Sequence, residues 1–473
     1  MNAPELRTDD RPVLGSDLHL ELRGTRLRAG LVEALREAVR GGRLAAGTRL
    51  PSSRSLAADL GTARNTVADA YAELVAEGWL TARQGSGTRV ARRADPGDRP
   101  PHRPLASLPA PAAPSHNLVT GAPDLASFPR ADWLRAYRRA LTAAPDEAFG
   151  YGDPRGRAEL RAALAEYLAR VRGVHARPER IVVCAGFAHG LTLLARALRE
   201  RGVRDAAVEP YGLELHAGIL AGAGLGTPVL PTDGRGTDVG ALGDLADCGA
   251  VLMTAAHQFP LGGALPPDRR AAVVDWARAS GGVVLEDDYD GEFRYDGKSV
   301  GALQGLDPER VVYLGTASKS LAPGLRLAWM VLPEDLVDGV VARGSVHGAP
   351  SAPDQLAFAE FLGSGAYDRH VRAMRLRYRR RRDQLVAAVA AHAPATRVGG
   401  IAAGLHAVLT LPPGTEETTL RTAARHGLAV EGLSPYRRPT APPPPAGLVV
   451  GYATPSDSAW PGALEALCRV LPA

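Results

Sequence analysis

Residues 283–293 read VVLEDDYDGEF and residues 311–333 read VVYLGTASKSLAPGLRLAWMVLP; each opens on a β-branched apolar run and then turns polar. An apolar run without alternation fits a strand covered on both faces, as in a parallel sheet between helices. Working outward, IVVCA (181–185), AAVEP (206–210) and AVLMTA (250–255) repeat the pattern, with helical segments between them. Strands alternating with helices predict an α/β domain built on a largely parallel sheet, from about residue 117 onward. Ligands of such sheets bind at the carboxyl ends of the strands, so the residues that follow each run carry the chemistry.

After IVVCA comes the turn GFAHG into a helix, where the amides of Gly186, Phe187 and Ala188 are placed to hold a phosphate. After GVVLE come Asp287, Asp288 and Tyr289, and after RVVYLG come Thr316, Ser318, Lys319 and Arg326. Taken singly these have bland readings: a surface lysine, a capping aspartate, an arginine on a strand. Taken together they supply an amine, a carboxylate and phosphate ligands, which is the set that pyridoxal 5'-phosphate requires. The amine is conspicuous because 56 residues are basic and only Lys298 and Lys319 are lysines. Lys298, in the turn FRYDGKS, reads as a surface residue.

The excess positive charge sits at the other end of the chain. Residues 1–93 hold fifteen arginines against eleven acidic residues, nearly all of the net charge of +5, where a phosphate-binding surface needs it. Apolar residues Leu27, Leu31, Ala34, Leu35 and Ala38 recur at helical spacing. LPSSRSLAADLG (50–61) then predicts a short helix capped by Ser52 or Ser53 and stopped by Gly61, and Thr62 is placed to cap a longer one. Two helices joined through glycine make a helix-turn-helix, and WLTARQGSGTRVA (79–91) adds two short strands as a wing. Arg64, Asn65 and Thr66 open the second helix, where side chains reach base edges. Arg49, Ser53, Arg54, Ser86, Gly87 and Thr88 are placed for phosphate contacts. A helical packing module with a solvated arginine face is the alternative.

Between the two parts, residues 92–115 read RRADPGDRPPHRPLASLPAPAAPS, a proline-rich linker that spans on the order of 70 Å when extended. Three scattered cysteines, Cys184, Cys248 and Cys468, fit neither a disulfide framework nor a metal site. No apolar run approaches the roughly 20 residues that span a bilayer, and the opening MNAPELRTDDRPVLG lacks the apolar core of a signal peptide. A cytoplasmic protein without membrane or metal partners is expected.

LPSSRSLA (50–57), ARNTVADAYAELVAEGWL (63–80) and RQGSGT (83–88) together resemble the GntR-type winged helix. VVLEDDYDGEF, YLGTASKSLAPGLRLAWMVLP, TAAHQFPLGGALP (254–266) and FGYGDPRGRAELRAALAEYLARVRGV (149–174) resemble fold-type I aminotransferases. Joined in one chain they resemble the MocR/GabR subfamily of transcription regulators over nearly the whole length. The resemblance implies a DNA-binding winged helix-turn-helix over 15–91, a linker over 92–116, and an effector and dimerisation domain over 117–473 with a smaller C-terminal subdomain. It implies that Lys319 forms the internal aldimine, Asp287 pairs with the pyridine nitrogen and Tyr289 bonds the ring hydroxyl. Thr316, Ser318, Arg326 and the Gly186 turn would hold the phosphate, Tyr151 would reach the cofactor of its own or the partner subunit, and either His257 or Gln258 would face the ring hydroxyl.

Two departures stand out. Where related proteins have a Pro-Gly-Tyr turn this chain has Tyr211-Gly212-Leu213, which leaves the ring-stacking residue open, with Tyr211 a candidate. The final strand GLVVGYATPS (447–456) lacks the arginine that clamps a substrate carboxylate in many aminotransferases, and Arg437 and Arg438 in a proline-rich loop are the available substitutes. The expected function is a sensor rather than an enzyme: a homodimer on an operator with paired half-sites, in which pyridoxal phosphate or an amino compound at Lys319 changes operator binding or RNA polymerase recruitment. The competing readings are an active aminotransferase with a DNA-binding domain, and a large domain that only dimerises.

Overall fold

The computed structural model describes residues 27–83, 87–92, 114–295, 300–344, 350–443 and 445–472. The chain divides into two compact units, 1–111 and 112–473. Ser86, Lys298 and most of the expected linker lie outside the described residues.

The first unit packs helix α1 (Leu27–Arg40), α2 (Ser53–Asp59) and α3 (Arg64–Ala76) with the hairpin β1 (Leu80–Arg83) and β2 (Gly87–Val90). Leu31 and Leu35 from α1, Leu56 from α2 and Val67 and Leu74 from α3 share one core with Leu80 and Val90 of the hairpin. Ser52 caps α2 by accepting from the amide of Ser55. The expected cap of α3 differs: Ala63, not Thr62, holds the N-cap position and has no side chain to cap with. Thr62 is consumed by the turn that ends α2, where its amide donates to Ala57 O at 2.9 Å beside Gly61 at a φ of 61°.

The second unit is an α/β domain. Its six-stranded sheet consists of β3 (Ile181–Cys184), β4 (Asp205–Val208), β5 (Cys248–Met253), β6 (Val283–Asp287), β7 (Val311–Thr316) and β8 (Ala328–Val331), in the order β3-β8-β7-β6-β5-β4. β8, from LAWMV, joins the five expected runs and is the strand that runs antiparallel to its neighbours β3 and β7. Period-two alternation splits the sheet's side chains between its two faces. Val182, Leu314 and Met330 pack on one face, under helix α4 (Phe187–Glu200), and Val183, Tyr313 and Trp329 on the other. β6 is buried throughout, as its unbroken apolar run predicts. Helix α5 (Glu214–Gly222) follows β4.

A smaller antiparallel sheet, ordered Arg397–Val398, Ala407–Thr410, Gly447–Val450 and Glu431–Gly432, forms the C-terminal subdomain. The long helix α6 (Ala366–His392) is tied to it by the buried Arg381, which donates to Tyr452 O and Pro455 O and pairs with Asp124 and Asp457.

Candidate functional site

A cavity of about 370 Å³ opens at the carboxyl ends of the central strands, and Asp287, Tyr289, Thr316, Ser318, Lys319 and Arg326 all line it. These residues come from β6, β7 and the turns that follow them, so the sheet brings together what the sequence spreads over forty residues.

One end is built for an anion. Arg326 adopts a φ of 53°, a left-handed conformation rare for a residue with a side chain. Its Nη2 donates to Ala185 O at 2.6 Å. Gly186, the N-cap of α4, has a φ of 92°, and a Cβ there would stand 2.8 Å from the guanidinium. Only glycine leaves that cradle open beside the free amides of the helix start. Phe187 and Ala188 line the cavity there. Thr316 Oγ1 donates to Ser318 Oγ at 2.9 Å and accepts from Ser318 N, which fixes both hydroxyls.

The middle of the cavity holds the amine and the carboxylate. Lys319 Nζ donates to Gly121 O at 2.7 Å. Burial lowers its pKa, while Asp287 and Asp290 oppose the shift; a larger neutral fraction makes the amine a better nucleophile toward an aldehyde. Asp287 is buried, and its Oδ1 has no hydrogen-bond partner among the described residues. Burial drives its pKa well above the carboxylate range, with the Lys319 cation pulling the other way. A buried carboxylate oxygen without a donor is costly, and a protonated pyridine nitrogen is a donor that satisfies it. This orphan oxygen and the Gly186 cradle fit pyridoxal phosphate.

Tyr289 Oη lies 3.0 Å from His257 Nδ1, which also lies 2.8 Å from Asp290 Oδ2. Gln258 instead closes a turn: its amide nitrogen donates to Phe259 O and its oxygen accepts from Leu261 N. Of the two candidates in HQFP, His257 is therefore the one on the Tyr289 side. Tyr211 lines the cavity while its hydroxyl donates to Pro442 O. Tyr151 is fully exposed and lies outside the cavity of its own chain.

The remaining wall holds His216 and Glu431, which the sequence did not single out, and Arg438, one of the two arginines read there as substitutes for the missing clamp. His216 packs its ring on Phe187, centroids 4.6 Å apart, and its pKa is pushed down to about 4 by burial, then by Arg438 and Lys319. Glu431 accepts from the amide and hydroxyl of Thr120. Arg438, from the proline-rich loop, is buried and lines the cavity. It is held there because Arg438 N donates to Pro210 O and Gly212 N donates to Tyr436 O, a short antiparallel pairing of distant segments. No local pattern signals that pairing.

On the winged helix, Arg64 and Asn65 stand exposed at the start of α3 and Thr66 is half-buried. The side chain of Arg49 lies over Gly87 in the hairpin, and Leu50 N donates to Thr88 O, so these phosphate candidates form one group. Ser53 and Arg54 open α2.

Comparison with known proteins agrees with this layout. Residues 27–90 match the family of bacterial regulatory proteins of the gntR type, and residues 115–437 match aminotransferase class I and II. The pyridoxine biosynthesis transcriptional regulator PdxR of Corynebacterium glutamicum is 35% identical, over 87% of this chain and 89% of that protein. The probable rhizopine catabolism regulatory protein MocR of Rhizobium meliloti is 33% identical over 89% of each. Among solved structures, an archaeal alanine:glyoxylate aminotransferase superposes with a TM-score of 0.68 at 22% identity, covering 75% of this chain and 90% of that one, which shows the fold. With a gntR-type winged helix-turn-helix ahead of an aminotransferase-like domain, and such relatives along most of its length, the chain belongs to the MocR/GabR subfamily of DNA-binding transcription regulators.

Proposed function

We propose that the large domain binds pyridoxal 5'-phosphate covalently on Lys319 and uses the loaded cavity as the sensor that sets how a homodimer engages its operator. The observation that carries this is the buried, partnerless Oδ1 of Asp287 in the same cavity as Lys319. When bound, the cofactor supplies an electrophilic carbon that captures amines. The chain's own groups do the rest: Asp287 keeps the ring nitrogen protonated, Tyr289 with His257 and Asp290 orients the ring hydroxyl, and Arg326, Thr316, Ser318 and the Gly186 turn hold the phosphate. Tyr151, exposed on its own chain, is available to the cofactor of a partner subunit. The effector is pyridoxal phosphate itself or an amino compound, and the name of the Corynebacterium glutamicum relative supports a link to vitamin B6.

Arg64, Asn65 and Thr66 read base edges, while Arg49, Ser53, Arg54, Gly87 and Thr88 position the backbone on an operator with paired half-sites. RNA polymerase is the downstream partner, in the cytoplasm. Among the described residues no helix is long and apolar enough to cross a membrane. The test is the visible absorption of the purified protein with added pyridoxal phosphate, followed by borohydride reduction and peptide mapping. A yellow band whose reduced adduct maps to Lys319 and is lost in Lys319→Ala supports the reading; no band, or an adduct only on Lys298, sinks it.

A further inference from the structure

Helix α6 mounts the segments that surround Lys319. Its first turns grip the residue next to the lysine: Tyr367 Oη donates to Ser320 Oγ at 2.7 Å, and His370 Nε2 lies 2.9 Å from Ser320 O. Further along, Arg375 Nε donates to Glu292 O at 2.8 Å, in the loop that follows Asp287. Tyr378 Oη accepts from Asp124 N at 3.0 Å, in the segment whose Gly121 O receives Lys319 Nζ. Ser320, Tyr367 and His370 do not line the cavity, so the grip on the lysine comes from behind it. Both donors are fixed as donors. Burial holds the Tyr367 hydroxyl well above the usual phenol value and therefore protonated. Burial also lowers the His370 pKa, and because a carbonyl only accepts, Nε2 of the neutral ring carries its proton.

We propose that Tyr367 and His370 are positioning residues for Lys319, holding the Ser320 peptide so that the amine meets the aldehyde of pyridoxal phosphate, a reading that rests on Lys319 being the amine that captures it. In that capture Nζ adds to the aldehyde carbon, a C=N bond replaces C=O, and the oxygen leaves as water with the two amine protons. A lysine side chain has much rotamer freedom to lose, so an anchored root removes part of the search, and a small misplacement of the reacting atom is costly. Tyr367 supplies the good bond to the Ser320 hydroxyl, whose other partner, Ala317 O, is 3.5 Å away. The Tyr367 hydroxyl in turn is nearer to Ser320 than to Glu292 Oε1 at 3.4 Å. Its ring packs on Tyr167 and Phe358 in the core, so Tyr367→Phe keeps the packing and removes the hydroxyl alone.

The experiment is fluorescence titration of the full-length protein with pyridoxal phosphate and, separately, with pyridoxamine phosphate, which has the same ring and phosphate but no aldehyde to condense with Lys319. Tyr367→Phe, His370→Ala and Ser320→Ala are each expected to weaken pyridoxal phosphate about ten-fold and to slow the growth of its visible band, while pyridoxamine phosphate binds as to the wild type. Tyr367→Phe combined with Ser320→Ala should lose no more than either alone, because the two groups share one bond. Both cofactors weakened alike, as a purely structural role requires, or pyridoxal phosphate binding unchanged, in Tyr367→Phe or in His370→Ala, overturns the proposal. Should either variant fail to fold, Ser320→Ala decides by the same comparison. Wild-type protein that captures no pyridoxal phosphate on Lys319 breaks both readings, whereas capture that these variants leave intact breaks this one alone.

Discussion

The winged helix and the large domain handle acidic residues in opposite ways. In the winged helix every described acid keeps contact with solvent, and Arg28–Glu73 and Arg36–Glu77 join α1 to α3 at the surface. In the large domain, seven consecutive residues from Glu286 to Glu292 contain five buried acids. Four have partners: Glu286 accepts from the amides of Leu303 and Gln304, Asp288 pairs with Arg172 and accepts from Tyr313, Asp290 meets His257, and Glu292 lies near the hydroxyls of Tyr167 and Tyr367. Asp287 keeps one oxygen unanswered. Surface acids contribute little to stability and tolerate change. Buried ones persist where something answers them, so the unanswered oxygen marks the side of Asp287 that is open to a donor.

The largest effect that can break this contrast is at Asp287. Asp287→Asn is expected to weaken pyridoxal phosphate binding by about a hundred-fold and, in cofactor-free protein, to raise the melting temperature by removing a buried acid without a partner. A variant that loses stability and cofactor affinity together would make Asp287 an ordinary structural residue. Gly186→Ala should follow, with cofactor affinity down roughly ten-fold or more because the new Cβ invades the Arg326 cradle at a positive φ; fluorescence titration measures it.

On the exposed side, Arg64→Ala is expected to weaken the cognate operator about ten-fold beyond any loss on random DNA, whereas Arg49→Ala weakens both alike. Equal losses for Arg64→Ala on the two DNAs would remove it from base readout. A smaller effect separates the domains by pH. Burial, then Asp288, pushes the Glu292 carboxyl up to about 7. A carboxyl raised on folding gives its full stability below its unfolded value and loses it as pH rises through about 7. The melting temperature of Glu292→Gln should therefore gain on the wild type between pH 6 and pH 8, and a difference constant with pH would contradict the buried titration. Arg28→Ala, at the surface, should leave melting unchanged at every pH.

Much of this was legible in the sequence because it is local. The run VVLE followed by DDY, and VVYLG followed by TASK, put Asp287, Tyr289, Thr316, Ser318 and Lys319 at strand ends by periodicity alone. Arg326 belongs with them, but its left-handed turn onto Ala185 O was not visible. The strand Ala328–Val331 was hidden inside a segment read for its chemistry. His216 and Glu431 escaped, and Arg438 was read only as one of two loop arginines able to replace the clamp, for a different reason: their place in the cavity depends on segments more than two hundred residues apart, and no spacing rule encodes such a contact. The cap of α3 failed on competition, since Thr62 serves the preceding turn.

The pairing that delivers Arg438 consists of two backbone hydrogen bonds, from Gly212 N to Tyr436 O and from Arg438 N to Pro210 O. That pairing is one short part of the join between the large sheet and the C-terminal subdomain, which Tyr295 N to Ala402 O and Ile401 N to Gly262 O also tie, and an edge held by two bonds opens more readily than either core. A ligand that binds only with the pairing closed, in the cavity Arg438 lines, stabilises it by mass action. The amide hydrogens of Gly212 and Arg438 are therefore expected to exchange with solvent more slowly when the cavity is filled, which hydrogen exchange with and without ligand measures.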